Sequence, residues 1–145
     1  MPARSKARKR ALDILYAAEM RGEPVLALLA ERSGGDSSAT AGGRPVTGYA
    51  SELVRGVHDH SERIDELLAA YAQGWTLDRM PPVDRNILRI GAYELLWRPD
   101  VPDGVAISEA VLLARDLSTD ASPAFVNGLL ARLLELKPGL EQAAD

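Results

Sequence analysis

No cysteine occurs among the 145 residues, so neither a disulfide framework nor a thiolate metal site can be built. No apolar run approaches the roughly 20 residues that a membrane-spanning helix requires. The basic N-terminus is not followed by the apolar stretch of a secretory signal. These absences suit a cytoplasmic protein. Histidine occurs only at His58 and His60. Residues two apart do not share a helix face, and a zinc site wants i, i+4 spacing or more ligands, so both read as surface residues near a helix end. There is no G-x-S-x-G, no Ser/His/Asp arrangement and no Rossmann fingerprint. The stretch SGGDSSATAGGRP, Ser33 to Pro45, lacks the Gly-Lys-Ser/Thr ending of a phosphate loop and reads as a flexible connection. Nothing here supports an enzyme, and no cofactor is called for.

What the chain does carry is an uneven charge distribution. The net charge is −4, yet Arg4, Lys6, Arg8, Lys9 and Arg10 all precede the first acid, Asp13. The remainder holds 12 bases against 21 acids. A compact cationic segment on an acidic body can hold phosphates while the body suppresses non-specific binding. This favours a selective RNA or DNA binder, with a solvated basic tail as the bland alternative.

Hydrophobic spacing predicts helices throughout. The first is expected over about Ser5 to Met20, capped by Ser5, with Ala11, Ile14, Leu15 and Ala18 at i, i+3, i+4, i+7. Lys6, Lys9, Asp13 and Tyr16 fall on its opposite side, flanked by Arg10. Gly22 and Pro24 separate it from a short helix carrying Val25, Leu26, Leu28 and Leu29. A third, starting at Thr47 or Ser51, carries Leu53, Val54 and Val57. Ser61 is expected to cap a fourth, with Ile64, Leu67, Leu68 and Tyr71 as its stripe. Val83 to Trp97 is the most strongly patterned run and should be central to the core. Pro99 and Pro102 end it, and Val105–Leu117 and Ser122–Leu136 follow, before a fraying tail. Gly56, Gly91 and Gly128 each cost roughly 1 kcal/mol relative to alanine inside helices and suggest close helix approach. With no alternating β pattern, the chain is expected to be all-α, about seven helices in a bundle.

Two kinds of aromatic residue bear on binding. Tyr16 lies on the cationic side of the first helix, while Tyr71 ends another and Phe125, the sole phenylalanine, sits near a helix start. Unpaired RNA bases stack on such rings, although core packing explains helical aromatics equally well.

Four segments then carry a resemblance: RSKARKRALDILY at Arg4 to Tyr16, VDRNILRIGAYEL at Val83 to Leu95, DVPDGVAISEAVLLAR at Asp100 to Arg115, and SPAFVNGLLARL at Ser122 to Leu133. In order and spacing they resemble the transcription antitermination factor NusB family, across essentially the whole chain and most weakly between Glu23 and Gly48. The resemblance implies one NusB-like domain, 1–145, of seven helices in two packed subdomains. It implies binding to boxA, a single-stranded element of ribosomal RNA leaders, together with the ribosomal protein NusE, so that RNA polymerase reads through terminators. RNA contacts are implied at Arg4, Lys6, Arg8, Tyr16, Tyr71 and Phe125, with Lys9 and Arg10 as neighbours that compensate where Ser5 replaces a frequent arginine. Asp84 matches an acidic position associated with NusE contact, and Asn127 reads as a structural hydrogen-bonding residue. Ala121 replaces a commonly acidic residue. Two other readings are a self-associating helical adaptor, as family homodimers suggest, and a relative of the domain fused to ribosomal RNA methyltransferases. The latter needs a glycine-rich cofactor loop that this sequence lacks.

Overall fold

The computed structural model describes residues 2–33, 46–72 and 75–144, with side chains described to Gly139. Among the described residues there are seven α-helices and no strand: α1 (Ala3–Arg21), α2 (Val25–Ser33), α3 (Gly48–Asp59), α4 (Ser61–Tyr71), α5 (Pro82–Trp97), α6 (Asp103–Leu117) and α7 (Ser122–Ala144). A 3-10 turn, Leu77–Arg79, lies between α4 and α5. None of these helices is long and apolar enough to cross a membrane. The Gly34 to Pro45 part of the expected loop lies outside the described residues. The chain divides into two compact units, Met1–Asp59 and His60–Asp145.

In the first unit α1 packs against α3 and α2. Its predicted stripe of Ala11, Ile14, Leu15 and Ala18 is buried, as are Leu28 and Leu29 of α2 and Leu53, Val54 and Val57 of α3. The helix starts two residues earlier than expected. Ser5 is not its cap; Pro2 holds that position, and its carbonyl accepts the Lys6 N–H at 3.1 Å. Proline suits a helix boundary because its φ is already helical and it has no N–H to leave unpaired. The whole basic segment is thus helical, which distributes its side chains over different faces. Gly22 closes α1 in the left-handed region at φ 67°, with its N–H on the last turn. Across the undescribed segment, Ser33 Oγ reaches the carbonyl oxygen of Val46 at 2.6 Å, and the Val46 N–H donates to Arg32 O at 2.9 Å.

The second unit is built on α5, which packs against α4, α6 and α7. Ile87, Leu88, Ile90, Ala92 and Leu95 of α5 are essentially inaccessible, and Ile64 and Leu68 of α4, Ala106 and Ala114 of α6, and Val126, Leu130 and Leu133 of α7 share that burial. Gly91 is a genuine close approach: a Cβ there would stand 2.7 Å from Leu130 Cδ1 and 3.3 Å from the Ala110 methyl. Gly128 is not, since a Cβ would meet nothing within 4 Å. A bidentate pair ties α4 to α5, with Arg89 Nε and Nη2 donating to Asp65 at 2.9 and 3.0 Å.

Three boundaries depart from expectation for identifiable reasons. Ser61 is the first helical residue of α4 and His60 caps it. The His60 ring is fixed by stacking on Trp97 at 4.4 Å and Tyr93 at 5.9 Å, so tertiary contact decides the start and His60 is no bare surface residue. Helix α6 begins at Asp103, following Pro102 as α1 follows Pro2. Helix α7 continues through Pro138 to Ala144 instead of ending at Leu136. The ion pair between Lys137 Nζ and Asp103 Oδ1, 2.7 Å, holds the turn before that proline against the start of α6.

Candidate nucleic-acid interface

Helical geometry sorts the basic segment of α1. Lys6, Lys9, Asp13 and Tyr16 recur at helical spacing and all are exposed, Tyr16 at 38%. Arg4 is exposed too, and its guanidinium carbon lies 4.1 Å from the centroid of the Tyr49 ring, a cation–π contact that steadies an otherwise flexible side chain. Arg10 is half-buried. Arg8, expected beside these cations, turns inward: it is 3% exposed and its guanidinium carbon is 5.8 Å from the other guanidinium's platform, the Tyr49 ring. Tyr49, at the start of α3, is therefore a component that spacing along α1 does not reveal. Its only sequence signal is an aromatic in the first turn of a helix that must pack on α1.

Asp13 sits among these bases. Partial burial of its carboxyl raises its pKa above the ordinary carboxylate value, and the nearby charges of Lys9, Arg32 and Arg10 oppose that rise. A raised folded-state pKa means that the ionised carboxylate opposes folding above that pKa, and the penalty fades as pH falls through the carboxylate range. Asp13→Asn is expected to raise the melting temperature slightly at pH 7, with the gain shrinking towards pH 4 in a thermal-denaturation series. A wild type that leads at pH 7 would contradict this.

The second unit carries a different surface. Tyr71, Ala124, Phe125, Gly128, Leu129 and Arg132 line a recess of about 240 Å3. Gly128 faces this space, and its missing side chain leaves the recess open. Phe125 is half-buried and also walls a second recess of about 150 Å3 with Trp75, Asp84 and Ser122. The Trp75 and Phe125 ring centroids are 6.0 Å apart at 51°, and Trp75 is 47% exposed. Neither Trp75 nor Arg132 was expected here from their sequence positions. Asn127, expected to be structural, is exposed.

Asp84 is 3% exposed in the first turn of α5. Its Oδ1 accepts the Ser118 hydroxyl at the end of α6, and its Oδ2 accepts the Ser122 hydroxyl at the start of α7, at 2.8 Å. Ser122 also donates within a hydroxyl network to Ser118 at 3.0 Å and lies 2.8 Å from Thr119 Oγ1. One carboxylate thereby joins three helix ends, where the dipole of α5 also favours a negative charge.

Comparison with known proteins places this geometry. The NusB family model matches residues 5–135. Transcription antitermination protein NusB of a Nocardioides species is 56% identical over 97% of this chain and 99% of the relative, and that of Thermobifida fusca is 57% identical over 95% and 93%. Among solved structures, T. maritima NusB superposes with a TM-score of 0.74 at 30% identity, covering 99% of this chain and 98% of the other. A structure of antitermination factors NusB and NusE in complex with dsRNA gives 0.73 at 27% identity, covering 91% and 96%. The chain belongs to the NusB family of transcription antitermination proteins.

Proposed function

We propose that this protein binds the single-stranded boxA element of ribosomal RNA leaders together with NusE, and so helps RNA polymerase read through terminators. The observation that carries the reading is the exposed row of Lys6, Lys9 and Tyr16 on α1, with Arg4 steadied beside it on Tyr49. Lys6, Lys9 and Arg4 neutralise phosphates, which supplies affinity without sequence preference. The half-exposed rings of Tyr16, Tyr71 and Phe125 stack unpaired bases, an interaction closed to bases already paired in a duplex. Arg8 and Arg10, less accessible, shape the face and its field. Asp84 acts in partner binding as a positioning residue, by holding the ends of α5, α6 and α7 together. The related NusB–NusE complex, though formed with dsRNA, supports the choice of partner. The acidic remainder of the chain makes a second protein useful, since it limits how strongly RNA is held by this chain alone.

The test is titration of a fluorescent boxA oligonucleotide with and without NusE across a salt series. Binding is expected to tighten with NusE, to weaken linearly in log salt, and to exceed binding of a scrambled oligonucleotide. Equal affinity for the scrambled sequence, or no binding with NusE present, would overturn the reading.

A further inference from the structure

The second, smaller recess combines features that the larger one lacks. Its two aromatic rings, Trp75 and Phe125, stand 6.0 Å apart and are inclined at 51°, so they open as a notch. Trp75 leaves 47% of its surface to solvent, a costly exposure for the largest apolar side chain. The segment bearing it is not a loose strand of chain. Arg85 Nη1 on α5 donates to the carbonyls of Leu77 at 2.7 Å and Met80 at 3.0 Å, pinning the turn that follows Trp75. At about 150 Å3 the space is well below the roughly 300–1,000 Å3 of sites for drug-sized ligands. One flat ring is the matching scale.

The polar end of the notch narrows the choice. Asp84 lines it, and each Asp84 oxygen accepts one serine hydroxyl, leaving a further acceptor site on a carboxylate oxygen. A carboxylate repels a phosphate and welcomes an N–H donor, so the edge of a base, not the RNA backbone, belongs there. On the other side of Phe125, Arg132 lines the larger recess and offers a positive charge to the backbone.

We propose that the Trp75–Phe125 notch holds one unpaired RNA base, stacked against Trp75 and carrying an exocyclic amino group directed to Asp84. This rests on the RNA-binding reading above and adds to it a site and a base class: adenine, cytosine or guanine over uracil. Trp75 is the principal stacking platform and Phe125 closes the opposite side.

The experiment uses the full chain with NusE and the boxA oligonucleotide, in a series in which each nucleotide in turn is made abasic. Wild type and Trp75→Ala are compared, with Trp75→Tyr as a second variant and circular dichroism to confirm that both are folded. Trp75→Ala is expected to weaken the intact oligonucleotide about ten-fold, within the range for losing one base–aromatic stack. Trp75→Tyr should recover most of that. One abasic position should cost the wild type a similar factor and the alanine variant almost nothing, and that position should carry an amino-bearing base. Unchanged affinity of Trp75→Ala, a loss spread over all positions, or a sensitive position carrying uracil overturns the notch while leaving RNA binding standing. A loss of NusE affinity in place of RNA affinity would assign the notch to a protein side chain and overturn it too. Wild type that binds no RNA removes both readings.

Discussion

Replacing Asp84 by alanine is expected to lower the melting temperature of the full chain by about 6–12 °C. The substitution removes two hydrogen bonds to a charged acceptor and leaves the hydroxyl of Ser122, itself 1% exposed, without its main partner. Hydrogen bonds to charged groups contribute roughly 1.5–3 kcal/mol each, and the two share a network, so about 3 kcal/mol is a reasonable total. For a chain of this size each kcal/mol moves the midpoint by about 2–4 °C. Asp84→Asn keeps one oxygen acceptor and should lose about half as much. The same pair of variants separates two roles for this residue in NusE binding. If Asp84 acts through position, partner affinity falls in step with thermal stability and recovers partly in the asparagine variant. If NusE affinity collapses while the melting temperature stays within about 2 °C of wild type, the carboxylate touches the partner directly and the positioning role is wrong.

The second large effect concerns the cationic face. Simultaneous Arg4→Ala, Lys6→Ala and Lys9→Ala should flatten the slope of log K against log salt by about 2, taking roughly 0.7 per single-strand phosphate contact. Extrapolated from 1 M salt, that slope corresponds to about a hundred-fold loss of affinity near 0.1 M, read directly in the oligonucleotide titration. Arg8→Ala is the informative contrast. Its guanidinium is buried beside Tyr49, so its removal is expected to lower thermal stability and leave the salt slope nearly intact. A triple variant whose slope matches wild type would move the phosphate contacts off α1. An Arg8 variant that alone flattens the slope would mean that the side chain leaves its buried position on binding.

Much of this architecture is legible in the chain because helical cores advertise themselves. The buried stripes of α1 and α4 coincide with apolar residues at i, i+3, i+4, and α5 is as buried as its dense patterning implies. Helix starts were harder to read. Ser5 and Ser61 have the right chemistry for caps, but Pro2 and a His60 ring stacked on Trp97 decide those boundaries, and neither effect is local in composition. The candidate site divides in the same way. Periodicity alone places Lys6, Lys9 and Tyr16 on one exposed face, because that is a property of one helix. The inward turn of Arg8, the Tyr49 platform under Arg4 and the Trp75–Phe125 pair all depend on which helices meet. Gly128 shows the opposite error: a glycine read as a packing contact borders open space, and only the surrounding recess explains what its absent side chain leaves room for.

The clasp between Ser33 and Val46 has a consequence for how this chain can vary. Two residues 13 positions apart are joined by hydrogen bonds from both sides, the Ser33 hydroxyl in one direction and the Val46 amide in the other. The junction is thus closed by its own two ends, whatever lies between them. Closing a flexible loop costs only about 0.6 kcal/mol more for each doubling of its length. Insertions and deletions at this one place are therefore nearly neutral for the first unit, and the chain has there a natural port. Homologues can lengthen it, and a fluorophore or affinity tag can occupy it, with α1 and its cations left undisturbed.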